Sequence, residues 1–190
     1  MPVTALDPKT ALVVIDLQQG IAKYPTVHPI AGVIGCNAKL ADAFRAAKLP
    51  VVLVTVSFSP DGGDALRSRA DQPPRAMPSD PEFYKLVPEL GPKPGDLLVT
   101  KRQWSAFYGT DLDLQLRRRG VTGIVLTGVS TSIGVDSTAR SAYERGFNVT
   151  IPTDAVTDMD PAAHEFALTK IFPRLAETGT TDAVLALLER

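Results

Sequence analysis

Five short runs rich in apolar and β-branched residues recur along the chain: Ala11–Ile15 (ALVVI), Val51–Val56 (VVLVTV), Leu97–Thr100 (LLVT), Ile124–Thr127 (IVLT) and Phe147–Ile151 (FNVTI). Their hydrophobicity is continuous rather than alternating, which requires cover on both faces of each strand. Stretches of helical spacing separate them. The pattern therefore predicts an α/β fold, with βαβ units building a parallel sheet that has helices on both sides. A weaker sixth strand is expected near Arg174–Glu177. At 190 residues the chain fits one domain, 1–190, and is long enough to bury a substantial core.

The helices have readable ends. Within Asn37–Lys48, Leu40, Ala43, Phe44 and Ala47 fall at helical spacing. Thr110 reads as the cap of a helix with Asp111 and Asp113 in its first turn and Arg117, Arg118 and Arg119 in its last. Gly120 stops it, so both ends complement the helix dipole. That arginine run reads as a solvated helix end rather than a binding patch. Ser132 is expected to cap a further helix running to about Arg145 and ended by Gly146. Residues 59–94 behave differently, holding eight of the sixteen prolines. A loop of this length is usually functional or disordered. It leaves the second strand at the end where active sites form, and suits a pocket wall, lid or subunit contact as well as a plain surface excursion.

Bulk properties narrow the partners. The formal net charge is −1, from 20 basic and 21 acidic residues, so no polyanion-binding surface and no nucleic-acid partner are expected. The N-terminal stretch before Asp16 is too short and too acidic for a signal peptide, and no apolar run approaches a membrane span. The expected location is the cytoplasm. A single cysteine, Cys36, excludes an internal disulfide and a multi-cysteine metal site.

In open parallel α/β sheets, ligands bind beyond the carboxyl ends of the strands. Asp16, Ser57 and Lys101 follow the first three strands, Ser130 and Thr131 lie just past the fourth, and Asp154 follows the fifth. An acid and a base from separate strands meeting in one crevice is what proton transfer requires. Each residue also has a plainer reading: an Asp after a strand often caps the next helix, Lys101 alone suits a surface charge, and Asp154 suits a turn. His28 and His164 read as structural histidines, and Cys36 as a small buried apolar residue. The segment Gly128–Arg140 (GVSTSIGVDSTAR) is more specific. A strand turns through small hydroxyl residues into a helix, so that the N–H groups of Ser130 and Gly134 suit an oxyanion-type or anion-binding site. A serine nucleophile would need an adjacent base, and neither histidine stands near a strand end. Trp104, Phe107 and Tyr108 follow Lys101 directly. A pocket wall or subunit contact is favoured for them over plain core.

Three segments, VVIDLQQG, KRQWSAFYGTDLDLQLRRRG and GVSTSIGVDSTARSAYERGFNV, together resemble the isochorismatase-like hydrolase family, also called the cysteine hydrolases. The likeness runs through almost the whole chain and is strongest to the YecD-like subgroup. It implies a Rossmann-like, three-layer αβα sandwich around a six-stranded parallel sheet, assembled as a homodimer or homotetramer. The family's amidases use an Asp–Lys–Cys triad, which maps by motif to Asp16, Lys101 and Gly134, with a cis peptide between Val129 and Ser130. Glycine at the cysteine position removes the covalent acyl-enzyme route. The family's isochorismatases also carry glycine there and hydrolyse a vinyl ether, with the Asp as general acid. The resemblance so implies Asp16, Lys101 and Gly134 as the catalytic set, and Ser130, Thr131, Trp104, Phe107, Tyr108 and Ser59 around a small-molecule substrate. Ser59–Pro60 replaces the isochorismatases' glutamine–proline pair, and Arg67 or Arg69 is the candidate for their carboxylate-binding arginine. The metal ligands of nicotinamidases are missing from VSFSPDGGD, so no metal and no cofactor are expected. Vinyl-ether hydrolysis, water-mediated amide hydrolysis and ligand binding without chemistry are the three readings, in that order.

Overall fold

A computed structural model describes residues 3–72 and 78–189. Strands form where the five apolar runs lie: β1 (Thr10–Ile15), β2 (Val51–Val56), β3 (Leu97–Lys101), β4 (Gly123–Val129) and β5 (Asn148–Pro152). Two short strands join them, β6 (Val156–Thr157) and β7 (Glu177–Gly179). Every named pair is parallel and the order is β3-β2-β1-β4-β5-β7, with β6 beside the end of β4. The expected sixth strand is displaced from Arg174–Glu177 to Glu177–Gly179, because Phe172–Arg174 wind into a 3-10 turn with Phe172 in the core.

Alternation along β1 shows why the runs are continuous. Ala11, Val13 and Ile15 face one core with Leu112 and Leu116 of α2 (Leu112–Arg118) and Ala139 and Ala142 of α3 (Asp136–Glu144). Leu12 and Val14 face the other, with Leu40 and Phe44 of α1 (Ile30–Ala46) and Val184 of α5 (Thr181–Leu188). Helices thus cover both faces, and the sandwich has three layers. A short helix, α4 (Pro161–Phe166), lies against the turn that leads into α3.

Two helix starts differ from expectation. Helix α1 begins at Ile30 rather than Asn37, because Val33 and Ile34 are buried on the face that continues to Leu40 and Ala41. Gly32 and Gly35 weaken the helical pattern by roughly 0.5–1 kcal/mol each, a cost that the buried face outweighs. Ser132 does not cap α3. A π-helical turn, Thr131–Val135, precedes that helix, and the Ser132 N–H donates to Asp158 Oδ2 at 2.7 Å. Thr110 stands one residue before the N-cap of α2, Asp111, and its Oγ1 accepts from the Leu112 N–H at 3.2 Å. Among the described residues, no helix is long and apolar enough to cross a membrane.

One backbone contact fixes how β4 leaves the sheet. Gly128 has φ +108°, and a Cβ there would stand 2.0 Å from the Ile15 carbonyl oxygen. Only glycine lets β4 pass so close to the end of β1. Gly128→Ala is expected to abolish cooperative folding or to lower the melting temperature by more than about 10 °C. Gly146 also has positive φ (+76°) but meets nothing within 4 Å. Gly146→Ala should therefore cost only about 1–2 kcal/mol. Thermal melts of the two variants side by side check this; similar losses would show that the approach to Ile15 is not the constraint.

Candidate active site

Asp16 leaves β1 in the left-handed region, φ +52°, which short polar side chains tolerate better than most. Its N–H donates to Val54 O on β2 (3.0 Å) and its carbonyl accepts from the Gln18 N–H (2.8 Å). The carboxyl meets Lys101, the last residue of β3, whose Nζ lies 2.7 Å from Oδ2. Since β2 separates β1 from β3, Lys101 reaches across a whole strand. Both residues are buried, Lys101 at 3% exposure and Asp16 at 6%.

Two effects oppose each other at this carboxyl. Burial disfavours its charge, while the ammonium and its hydrogen bond favour it. Burial wins, and Asp16 is pushed up from 3.8 to about 6. Oδ1 is buried and has no hydrogen-bond partner among the described residues, which adds to the cost of ionising.

The turn after β4 supplies the third position. The Val129–Ser130 peptide is cis. Beyond it the turn lays Gly134 against the carboxyl: a Cβ on Gly134 would stand 3.5 Å from Asp16 Oδ2 and 3.0 Å from Ile15 Cγ2. Thr138 braces the turn from α3, its hydroxyl donating to Gly134 O at 2.6 Å while accepting from the Ala106 N–H at 3.0 Å. The segment after Lys101 and the turn around Gly134 are therefore tied through one side chain.

The structure brings Asp16, Lys101 and Gly134 together, and several other expected residues are placed differently. The Ser130 hydroxyl donates to Met159 Sδ at 3.1 Å, and Thr131, fully buried, has Oγ1 2.9 Å from His164 Nδ1. Both hydroxyls are engaged by protein groups rather than presented to a substrate. Phe107 is 4% exposed and packs in the core against Phe147, with Arg145 over its ring. It belongs to the core, because the chain turns inward there to seat α2. Trp104 and Tyr108 stay exposed, at 67% and 66%. Ser59 donates through its hydroxyl to Asp61 and through its N–H to Asp64, which pairs with Arg102 beside Lys101. Arg67 and Arg69 are exposed, and Arg67 donates to Gly62 O. Asp154 accepts from the Thr181 N–H and hydroxyl, a helix-start role. A surface cleft of about 260 Å³ lined by Arg140, Tyr143, Glu144, Ile171, Arg174 and Leu175 contains none of these site residues.

Two residues at the site carried no role in the sequence reading. Gln18, fully buried, donates to Val56 O (3.0 Å) and Tyr84 O (2.8 Å) and accepts from the Val56 N–H (2.8 Å). It pins residues near 84 of the proline-rich stretch to the ends of β1 and β2. Asp158 accepts from the Ser132 N–H. A polar residue two positions past a strand's Asp is a signal that could have marked Gln18; nothing local marks Asp158.

A parallel α/β sheet with a buried carboxyl–ammonium pair facing a glycine turn at its carboxyl edge has the form of an α/β enzyme's active site. Residues 10–183 match the Isochorismatase domain. The chain is 47% identical over 181 residues to the uncharacterized isochorismatase family protein YwoC of Bacillus subtilis, covering 93% of each. It is 44% identical over 180 residues to YecD of Escherichia coli O157:H7, covering 94% of this chain and 96% of that one. It is also 33% identical over 205 residues to the ureidoacrylate amidohydrolase RutB of Methylorubrum extorquens, covering 93% and 83%. The solved structure of an isochorismatase family protein from Burkholderia thailandensis superposes with a TM-score of 0.95 at 52% identity, covering 98% of both chains. The chain belongs to the isochorismatase family, and it is a hydrolase.

Lys101 is the group that holds Asp16 down against burial. Lys101→Met should therefore move the Asp16 midpoint above about 6. A pH titration of the ¹³C-labelled aspartate carboxyls reads this directly, and an unmoved or lowered midpoint would show that the ammonium does not act on Asp16.

Proposed function

We propose that this hydrolase cleaves a small, anionic or cyclic metabolite by general acid catalysis at Asp16, with no covalent intermediate and no metal, and that its reaction is the hydrolysis of a vinyl ether. The observation that carries the reading is a buried carboxyl, pushed up to about 6, set against a glycine where the family's amidases bear cysteine. No thiol at position 134 means no acyl-enzyme.

In the proposed cycle, neutral Asp16 passes its proton to the terminal alkene carbon of the substrate, and the ether oxygen stabilises the cation that forms next to it. The carboxyl borders the position of a side chain at 134, where a Cβ would stand 3.5 Å from Oδ2, and is the proposed proton donor. The ionised carboxylate left behind is offset by Lys101 Nζ at 2.7 Å. Water adds to the cation and returns one proton to Asp16, and the resulting hemiketal breaks to a ketone and an alcohol. The N–H groups of Ser130 and Gly134 are the proposed contacts for an anionic substrate group. Trp104 and Tyr108 are the proposed aromatic wall, or the contact to a second subunit.

One observation favours a second reading. A carboxyl at about 6 is roughly nine-tenths ionised at pH 7, which suits a base that activates water for C–N hydrolysis. RutB, 33% identical, is named for that bond class. The pH dependence separates the two. An acid must be protonated in the free enzyme, so kcat/KM falls about tenfold per pH unit above about 6; a base must be ionised, so kcat/KM rises through the same midpoint.

The test is pyruvate release from isochorismate by purified protein, with and without EDTA, against Asp16→Asn. The expected result is release that is indifferent to chelation, lost by at least about 10²-fold in the variant, and declining above pH 6. Release undiminished in Asp16→Asn would sink the role given to that residue. No release, with a ligand-induced rise in melting temperature, would favour binding without chemistry.

A further inference from the structure

Besides Thr138, one segment holds the start of the turn that carries Gly134. Asp158, Met159 and His164 engage three consecutive residues of it: Asp158 Oδ2 accepts from the Ser132 N–H at 2.7 Å, Met159 Sδ accepts from the Ser130 hydroxyl at 3.1 Å, and His164 Nδ1 lies 2.9 Å from Thr131 Oγ1. Among the described residues, none of these side chains is hydrogen-bonded to Asp16 or Lys101. They fix the piece of backbone that does. We propose that His164 is a positioning residue whose imidazole, by holding the Thr131 hydroxyl, keeps the Thr131–Val135 turn wound so that Gly134 stays packed against the Asp16 carboxyl. The inference rests on the reading of Asp16 as the working acid.

Several features make this contact more than incidental packing. His164 and Thr131 are 5% and 0% exposed, so neither can exchange the other for water. A hydroxyl and a ring nitrogen left apart in that interior would each carry a desolvation cost. The turn is π-helical, a wider winding that is poor as an isolated helix and persists where the surroundings enforce it. Helix α4 is itself fixed at its start, where Asp160 accepts from the Ala162 and Ala163 N–H groups, so His164 stands on a capped base.

The neighbours of His164 keep it neutral. Burial lowers its affinity for a proton and nearby His28 lowers it further, while Asp158 and Glu165 oppose them. The two imidazoles meet edge-to-face at 4.9 Å, and His28 Nδ1 lies 3.2 Å from Thr157 Oγ1. A neutral ring keeps one nitrogen as an acceptor and suits a hydroxyl partner.

The consequence is readable at Asp16 without any substrate. If the turn loosens, water reaches the carboxyl, the burial that raises it is relieved, and Lys101 remains to lower it. In the ¹³C carboxyl titration, His164→Leu and Thr131→Val should both drop the Asp16 midpoint from about 6 toward the ordinary 3.8. His164→Asn, whose amide can stand where Nδ1 stands, and Thr131→Ser, which keeps the hydroxyl, should hold it near 6. Far-UV circular dichroism checks that each variant is folded, and Thr131→Val serves if His164→Leu does not fold. On any substrate the protein turns over, His164→Leu should lower kcat by about tenfold or more with KM little changed. A midpoint that stays near 6 in folded His164→Leu or Thr131→Val overturns the inference. A midpoint that drops in a protein that releases no pyruvate leaves the inference standing and removes the vinyl-ether reading.

Discussion

Removing a carboxylate and an ammonium from water costs several kcal/mol per ion, and their attraction offsets this only where the geometry is held tightly. Asp16 and Lys101 meet that condition because both are buried at the carboxyl ends of strands, one strand apart, with Nζ and Oδ2 at 2.7 Å. Much of the surrounding structure serves this contact. The order β3-β2-β1-β4 sets Lys101 on one side of Asp16 and the Gly134 turn on the other. Gln18 ties the end of β1 to the end of β2 through two hydrogen bonds with Val56, and a third to Tyr84 O holds the segment beyond β2 against them. Gly128 lets β4 touch Ile15, which sets the height at which the turn crosses the carboxyl.

The pair is not fully compensated, and the imbalance matters. An ammonium at hydrogen-bond distance ordinarily pulls an aspartate below its reference value. Here the carboxyl is pushed up instead, because the walls are apolar or backbone and one oxygen has no donor. A cysteine at 134 would bring a second ionisable group to the same spot, and its thiolate would compete for the same ammonium. Glycine leaves the carboxyl as the one acid facing that space among the described residues, and on the proposed reading this makes it a proton donor rather than an activator of a thiol.

The fold was legible in the sequence because its strongest signal is local. Five apolar, β-branched runs mark the strands, even where edge strand β3 leaves Leu98 exposed, and helix α2 announces itself by Thr110, its charge gradient and Gly120. The start of α1 was hidden, since Gly32 and Gly35 dilute a pattern that only burial of Val33 and Ile34 restores. At the site, Asp16, Lys101 and Gly134 were found through strand ends and motif likeness. Phe107 was misplaced because an aromatic after a strand end looks the same whether the chain continues outward or folds inward. Asp158 was invisible, and His164 was legible only as a structural histidine, for a different reason. Their role depends on contacts with residues about 26 and 33 positions away, which no local pattern encodes.

The placement of the Ser130 and Thr131 hydroxyls carries the most physical content. A run of small hydroxyl residues between a strand and a helix invites the view that the hydroxyls meet the substrate. In this fold they point the other way, into Met159 and His164. A turn that must hold a π-helical winding beside a buried carboxyl needs anchors, and hydroxyls serve because they are small enough to be buried and directional enough to fix a backbone. What such a turn offers the crevice is then peptide N–H groups and a bare glycine, surfaces that recognise charge and shape but not identity. On the proposed reading, selection among metabolites passes to the variable surroundings: the exposed rings of Trp104 and Tyr108, and the segment around Ser59 that Asp64 ties to Arg102. The chemistry and its specificity are thus carried by different parts of the chain. A carboxyl held by the sheet can stay fixed while the loops around it change the substrate.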